Sequence, residues 1–254
     1  MPASIKLQEE YGDDLAVIFV ESQGATKATA DKFVMKHRWL GNLAMWTLQR
    51  PVRIKTSGLP SFALISADGK IISTGNHMTS RDKDLLEEEV NKAKSAPEGT
   101  HKSFKKAWKE FSKGNYAKAL TETKKVGAKK TELAEEAAEI VALFEGRIQG
   151  KVDRGIWLLD NGYPVHAKKM LSTIETGLKG TDDLLATVRE VQMRFETDEM
   201  KLELKAADKI DRLLKKVYED GRDEKLFIKL EKMAEDFSGT RVAERAQKIA
   251  SLGG

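Results

Sequence analysis

The sequence predicts an α/β unit over residues 1–97 followed by an all-α unit over 98–254, the second being an α-solenoid of helix pairs or an irregular helical bundle. Three observations carry that expectation. The apolar runs that suit strands all precede Pro97, two of them are joined by an Asp-Gly turn, and beyond Pro97 apolar residues recur only at helical spacing. At 254 residues the chain also exceeds the usual size of one domain, so two separate cores are expected.

In the first unit, Ile5 to Tyr11 reads as a short amphipathic helix stopped by Gly12. Leu15 to Val20 is a continuous apolar run rich in β-branched and aromatic residues, the pattern of a central strand buried on both faces. Ser22-Gln23-Gly24 breaks it. Ala25 to Trp39 then carries Phe33, Val34 and Trp39 at helical spacing, with Thr26 or Thr29 available as a cap. Leu43 to Leu48 reads as a second strand, ended by Arg50-Pro51. Gly58 to Ile65 and Ile71 to Gly75 are joined through Asp68-Gly69, which supplies the turn of a β-hairpin. Asp82 to Ala93 places Leu85, Leu86 and Val90 on one helical face before Pro97 and Gly99 close the unit.

In the second unit, Phe104, Ala107, Trp108 and Phe111 share a helical face, Lys113-Gly114-Asn115 turns the chain, and Tyr116, Ala119 and Leu120 open the next helix. Further helices are expected over Thr131–Ile148, Val152–Asp160, Pro164–Thr176, Thr181–Phe195, Asp198–Glu219, Glu224–Phe237 and Thr240–Leu252. The breaks fall at Gly150, Asn161-Gly162, Gly177 to Gly180, Gly221 and Ser238-Gly239, where glycine suits a helix C-terminus.

Two resemblances follow from these residues. The strand–helix–strand–hairpin–helix order over residues 5–95, with Gly58-Leu59-Pro60 opening the hairpin and Asp68-Gly69-Lys70 turning it, resembles the thioredoxin superfamily, nearest its exported thiol-disulfide oxidoreductase and redoxin branches. That resemblance implies a cis peptide bond before Pro60. It also implies that Leu59 and Pro60 lie beside the loop at Gly24, Ala25, Thr26 and Lys27, where the family carries Cys-x-x-Cys, and that the backbone there pairs with an extended peptide. The array Ala107, Phe111, Gly114-Asn115-Tyr116 and Ala119-Leu120 resembles the inner part of a tetratricopeptide repeat, with an echo at Leu158 to Tyr163 and Ala167. The 48-residue interval departs from the regular period.

The chain has no cysteine, which excludes disulfide exchange and cysteine-dependent peroxide reduction, since both run through a thiolate. It equally excludes a disulfide framework and a thiolate metal site. His37, His77, His101 and His166 are scattered without ligand-like pairing, so no metal is expected. No phosphate-binding loop or dinucleotide fingerprint occurs, and no cofactor is expected. Glu87-Glu88-Glu89 reads as a solvated run. Nothing approaches the roughly twenty apolar residues of a membrane span, and Met1 to Glu10 lacks the apolar core of a signal peptide. The expected settings are therefore the cytoplasm, or export with a leader removed.

The formal charge of +4 is a small difference between 44 basic and 40 acidic residues, a weak pointer to nucleic acid. Lys102 to Lys130 holds ten lysines against Glu110 and Glu122, interleaved with Phe104, Trp108, Phe111 and Tyr116. Because those aromatics recur at core spacing, they read as buried, leaving the lysines as a solvated face or a flank for an acidic partner. The leading expectation is a redox-inactive thioredoxin-like domain on a helical-repeat domain, binding a protein or extended peptide at Gly24, Ala25, Thr26, Lys27, Leu59 and Pro60. The alternatives are a cysteine-independent enzyme using Glu21, Thr26 or Lys27, and a non-catalytic subunit of a thiol-redox complex.

Overall fold

The computed structural model describes residues 2–36, 45–47, 49, 52–54, 58–66, 69–181, 183–220 and 224–251. Helix dominates, with eleven α-helices and four short strands among the described residues. The expected Trp39, Leu43, Leu48, Arg50, Pro51, Asp68, Gly221 and His37 lie outside them.

Helix α1 (Pro2–Tyr11) and the turn at Gly12–Asp14 lead into strand β1 (Ile18–Val20). The buried Gln8 side chain accepts a hydrogen bond from the Val17 N–H at 2.9 Å, pinning the approach to β1 against α1. Strand β2 (Met45–Thr47) pairs with β1 in parallel, in the register Ile18 with Met45, Phe19 with Trp46 and Val20 with Thr47. Helix α2 (Lys27–Lys36) makes the crossover. The expectation of a strand buried on both faces is corrected here. Phe19 is buried, but Ile18 is 49% and Val20 37% exposed, because alternate residues of a strand face opposite ways and one of those faces stays open to solvent. Phe33, expected on an apolar helical face, is likewise 51% exposed.

Strands β3 (Phe62–Ile65) and β4 (Ile71–Gly75) form the antiparallel hairpin, Phe62 opposite Gly75 and Leu64 opposite Ser73. At its turn Ser66 donates its N–H to the Lys70 carbonyl, and Gly69, at φ +82, donates to the Ser66 carbonyl. Helix α3 (Ser80–Lys94) begins at a reciprocal cap: the Thr79 hydroxyl accepts from the Asp82 N–H, while the Asp82 carboxylate accepts from the Thr79 N–H at 2.7 Å. Ser73 of β4 also donates to Asp82 at 2.5 Å, so one carboxylate starts the helix and ties it to the hairpin. Leu86 and Val90 of α3 close over Leu64, with Leu7, Tyr11, Leu15, Phe62, Ile72, Met78 and Leu85 packed around them. Among the described residues β1 pairs only with β2 and β3 only with β4, giving two two-stranded sheets.

The remaining helices are α4 (Lys105–Ser112), α5 (Tyr116–Lys129), α6 (Ala134–Asp160), α7 (Pro164–Gly177), α8 (Asp183–Met193), α9 (Asp198–Asp220), α10 (Glu224–Asp236) and α11 (Arg241–Ala250). Successive helices from α4 to α8 pack on their chain neighbours, while α9 packs on α7, α10 and α11. The turns before α5, α7 and α11 share one chemistry: Gly114, Gly162 and Gly239 stand at φ +79, +77 and +87, one residue before the helix cap. The expected break at Gly150 does not occur. Residues 134–160 form one helix, because the apolar face runs unbroken through Ile148 and Val152, both buried, and a glycine costs an interior helix position only about 1 kcal/mol.

Two cores result. One runs from Phe104 to Met200 around the stacked rings of Phe111 and Phe144, 4.2 Å apart, with Trp108 edge-on to Phe144 at 4.7 Å. The other gathers Ala206, Ala207, Ile210 and Leu214 of α9 with Leu230 of α10 and Val242, Ala246 and Ile249 of α11. Burying each large apolar side chain is worth roughly 1.5–3 kcal/mol, so each core is a substantial source of stability. Where the cores meet, Asp160 accepts from Arg241 at 2.7 Å and from Arg194 at 3.4 Å. The Arg245 guanidinium lies 4.2 Å over the Tyr163 ring and also pairs with Asp211. Buried Glu203 of α9 accepts the N–H groups of Arg241 and Val242 at 2.6 and 3.2 Å, capping α11 from a distant part of the chain.

Candidate functional site

The loop after β1 is shaped by Glu21. Its carboxylate accepts the N–H groups of Gln23 at 2.6 Å and Gly24 at 3.1 Å, and Gly24 takes the left-handed conformation at φ +82 that lets the chain fold back over it. Thr26 then caps α2: its hydroxyl accepts from the Thr29 N–H at 3.3 Å, and its carbonyl accepts from Ala30. Gly24, Thr26 and Lys27 are exposed and Ala25 is half-buried. Glu21 is thereby occupied in holding its own loop.

The second expected segment, Gly58-Leu59-Pro60, precedes β3, and its Leu59–Pro60 peptide bond is cis. It is held by a residue that sequence reasoning passed over. The pairing of Phe62 with Gly75 returns the chain beside this segment, and Asn76, next after Gly75, donates its side-chain amide to the carbonyls of Gly58 at 2.8 Å and Pro60 at 3.1 Å. Between those clamped carbonyls Leu59 is 55% exposed and Pro60 is also exposed. Among the described residues the Leu59 backbone N–H and carbonyl take no hydrogen bond.

The expected juxtaposition of the two segments needs β1 and β3 to be neighbours in one sheet. Among the described residues that pairing is absent, so the loop is organised by Glu21 and the proline segment by Asn76, each on its own sheet. Asp82 lies under the hairpin. Hydrogen bonds from Ser73 and then Thr79 hold its carboxyl down at about 2, well below the ordinary 3.8.

His101 accepts the Ser103 N–H on its Nδ1 and donates its backbone N–H to the Glu136 carboxylate; His166 packs edge-on to Tyr163. Among the described residues no group of three His, Cys, Asp or Glu side chains could hold a metal ion, and no helix is long and apolar enough to cross a membrane. An open cleft of about 410 Å³ lies between α5 and α6, floored by Gly127, Ala134, Ala137, Ala138 and Ala142. Its lining is aliphatic apart from Lys124 and Glu145 and carries no catalytic constellation. Phe104, Trp108, Phe111 and Tyr116 are all buried, as their spacing predicts, so none is available to stack on a ligand.

Asn76 had a faint signal in the sequence, being the first polar residue after the second hairpin strand. Thr79 and Asp82 had a clearer one, a capping pattern three residues apart. Glu203 had none, since it acts 38 residues away from the helix it caps. No protein-family model, no characterised protein and no solved structure matches the chain.

Proposed function

We propose that this protein is a redox-inactive thioredoxin-like unit carried on a helical-repeat scaffold, and that it binds an extended segment of another protein along Leu59 and Pro60. The observation that carries the reading is the state of Leu59: an exposed apolar side chain on a backbone whose N–H and carbonyl are unused among the described residues, between two carbonyls fixed by Asn76. An extended peptide adds to such a segment by taking its backbone groups, and the neighbouring side chain supplies selectivity. The parallel β1–α2–β2 unit followed by the β3–β4–α3 hairpin unit supports the thioredoxin-like assignment, and the absence of cysteine removes the thiol chemistry such a unit otherwise performs. The Gly24 to Lys27 loop, with Ala25 and Thr26, stands on the β1–β2 sheet and forms no part of this proposed surface. The glycine-turned helix hairpins at Gly114 and Gly162 support the helical-repeat part.

The test is binding to an array of extended peptides, comparing the natural protein with Leu59→Asp and with Ile228→Asp, a charge placed on an equally exposed residue of α10. Loss of binding in Leu59→Asp alone, with circular dichroism unchanged, is the expected result. Equal binding by all three proteins would remove Leu59 from the recognition surface and with it this reading.

A further inference from the structure

The outer face of the α4–α5 hairpin carries two parallel rows of charge. Lys102, Lys106, Lys109 and Lys113 follow one another at steps of four, three and four along α4 and its flanking turns; Lys118, Glu122, Lys125 and Lys129 repeat the same steps along α5. Positions so spaced lie on one face of a helix. Lys106 pairs with Glu122 at 3.0 Å and Lys118 with Glu110 at 3.2 Å, and these two cross-helix contacts place the rows side by side. Both carboxylates of the segment are thereby neutralised. Lys102, Lys109, Lys113, Lys125 and Lys129 are exposed and make no ion pair among the described residues. The segment holds ten lysines and two glutamates in a chain whose total is only +4, so the rest of the molecule carries an excess of acid.

We infer that this face docks an acidic helical segment of a partner protein. Complementary charge is the argument, and the spacing refines it. Carboxylates at steps of three and four on a partner helix repeat along its axis at the same pitch as Lys102, Lys106, Lys109 and Lys113 and as Lys118, Lys125 and Lys129 beside them, each span being about 17 Å long at 1.5 Å per residue. A nucleic acid fits less well. The face has lysine but no arginine, so it lacks the fork that grips a phosphate with two bonds. Its aromatics are buried and cannot stack on bases. The inference does not rest on the peptide site proposed at Leu59, which lies on another part of the chain.

The experiment uses the full chain and two probes: a glutamate–alanine peptide of about 20 residues, helical and about 30 Å long, and an RNA duplex of similar length. The row variant is Lys102→Gln, Lys109→Gln, Lys125→Gln and Lys129→Gln together. The control, Lys169→Gln, Lys179→Gln, Lys229→Gln and Lys232→Gln, removes the same charge from exposed lysines elsewhere. The expected result is that the natural protein binds the peptide, that the row variant weakens it about tenfold or more and the control about twofold or less, and that peptide addition shifts the amide resonances of α4 and α5. No peptide binding, equal weakening in both variants, or shifts confined to other helices would overturn it. Tighter binding of the duplex than of the peptide, lost in the row variant, would also overturn it and assign the face to a phosphate backbone.

Discussion

Asn76 and Asp82 show how much of the α/β unit depends on single polar side chains. Asn76 makes two hydrogen bonds to the carbonyls flanking Leu59. Asn76→Ala should cost about 1–3 kcal/mol, since each such bond nets roughly 0.5–1.5, and should weaken peptide capture at Leu59 while leaving the helical cores intact; a thermal melt beside a binding assay reads both. Asp82 makes a prediction in pH. Its carboxyl is depressed from 3.8 to about 2, so its stabilising contribution is complete above the ordinary value and is lost as pH falls through about 2. Hydrogen exchange at the start of α3 should accelerate across that window in the natural protein and be insensitive to it in Asp82→Asn. Neither residue's role was evident from residue type alone. The Thr79–Asp82 cap is a local pattern and legible, whereas the Ser73 bond to Asp82 and the Asn76 clamp exist only once β3 and β4 pair.

At the scale of elements, glycine decides both a success and a failure of the sequence reading. Gly114, Gly162 and Gly239 mark real turns, and their neighbours fix the helix starts within a residue or two. Gly150 marks nothing, because helix propensity is a weak local preference and the buried stripe on either side overrides it. Gly150→Ala should therefore stabilise the protein by about 0.5–1 kcal/mol, since a β-carbon there meets nothing within 4 Å; a higher melting temperature is the readout, and a lower one would mean that the helix does break. Gly177→Ala should do the opposite. A β-carbon at Gly177 would collide with the Gly114 carbonyl and sit 2.7 Å from the Tyr116 ring, where the α7 C-terminus meets the α4–α5 turn. Overpacking of this kind costs about 1–3 kcal/mol or more, measurable in urea. The short strand β1 is where the pattern misled: six apolar residues in a row suit burial on two sides, but only three of them form the strand and two of those face solvent.

Across the whole molecule, the division into a mixed N-terminal part and a helical remainder was legible because strand-like and helix-like periodicities change over near Pro97. The division of the helical part into two cores was not, because it depends on contacts between residues far apart in sequence. Asp160 reaches Arg241, Tyr163 lies under Arg245, and Glu203 caps α11. Glu203→Gln weakens two charge-assisted bonds to the backbone N–H groups of Arg241 and Val242, and a loss of about 1–3 kcal/mol is expected, with exchange rising first in α10 and α11. Exchange rising evenly through α4 to α11 would instead show that the two cores open as one unit.

The 27 residues of α6 bear on how this chain can change over generations. Near its start α6 meets α5, Ala137 beside Gly127, and further along it meets α7, Gly155 beside Leu171, so its length sets the angular phase between two neighbours. Adding or deleting one residue near Gly150 would turn one half by about 100° against the other, swinging Leu158 out of the core while Phe144 stayed in place. Lineages carrying such an indel should be lost unless its length nearly restores the helical phase, as about seven, eleven or eighteen residues do, so drift in this gene should proceed by substitution within α6 and by length change only in the turns that flank it.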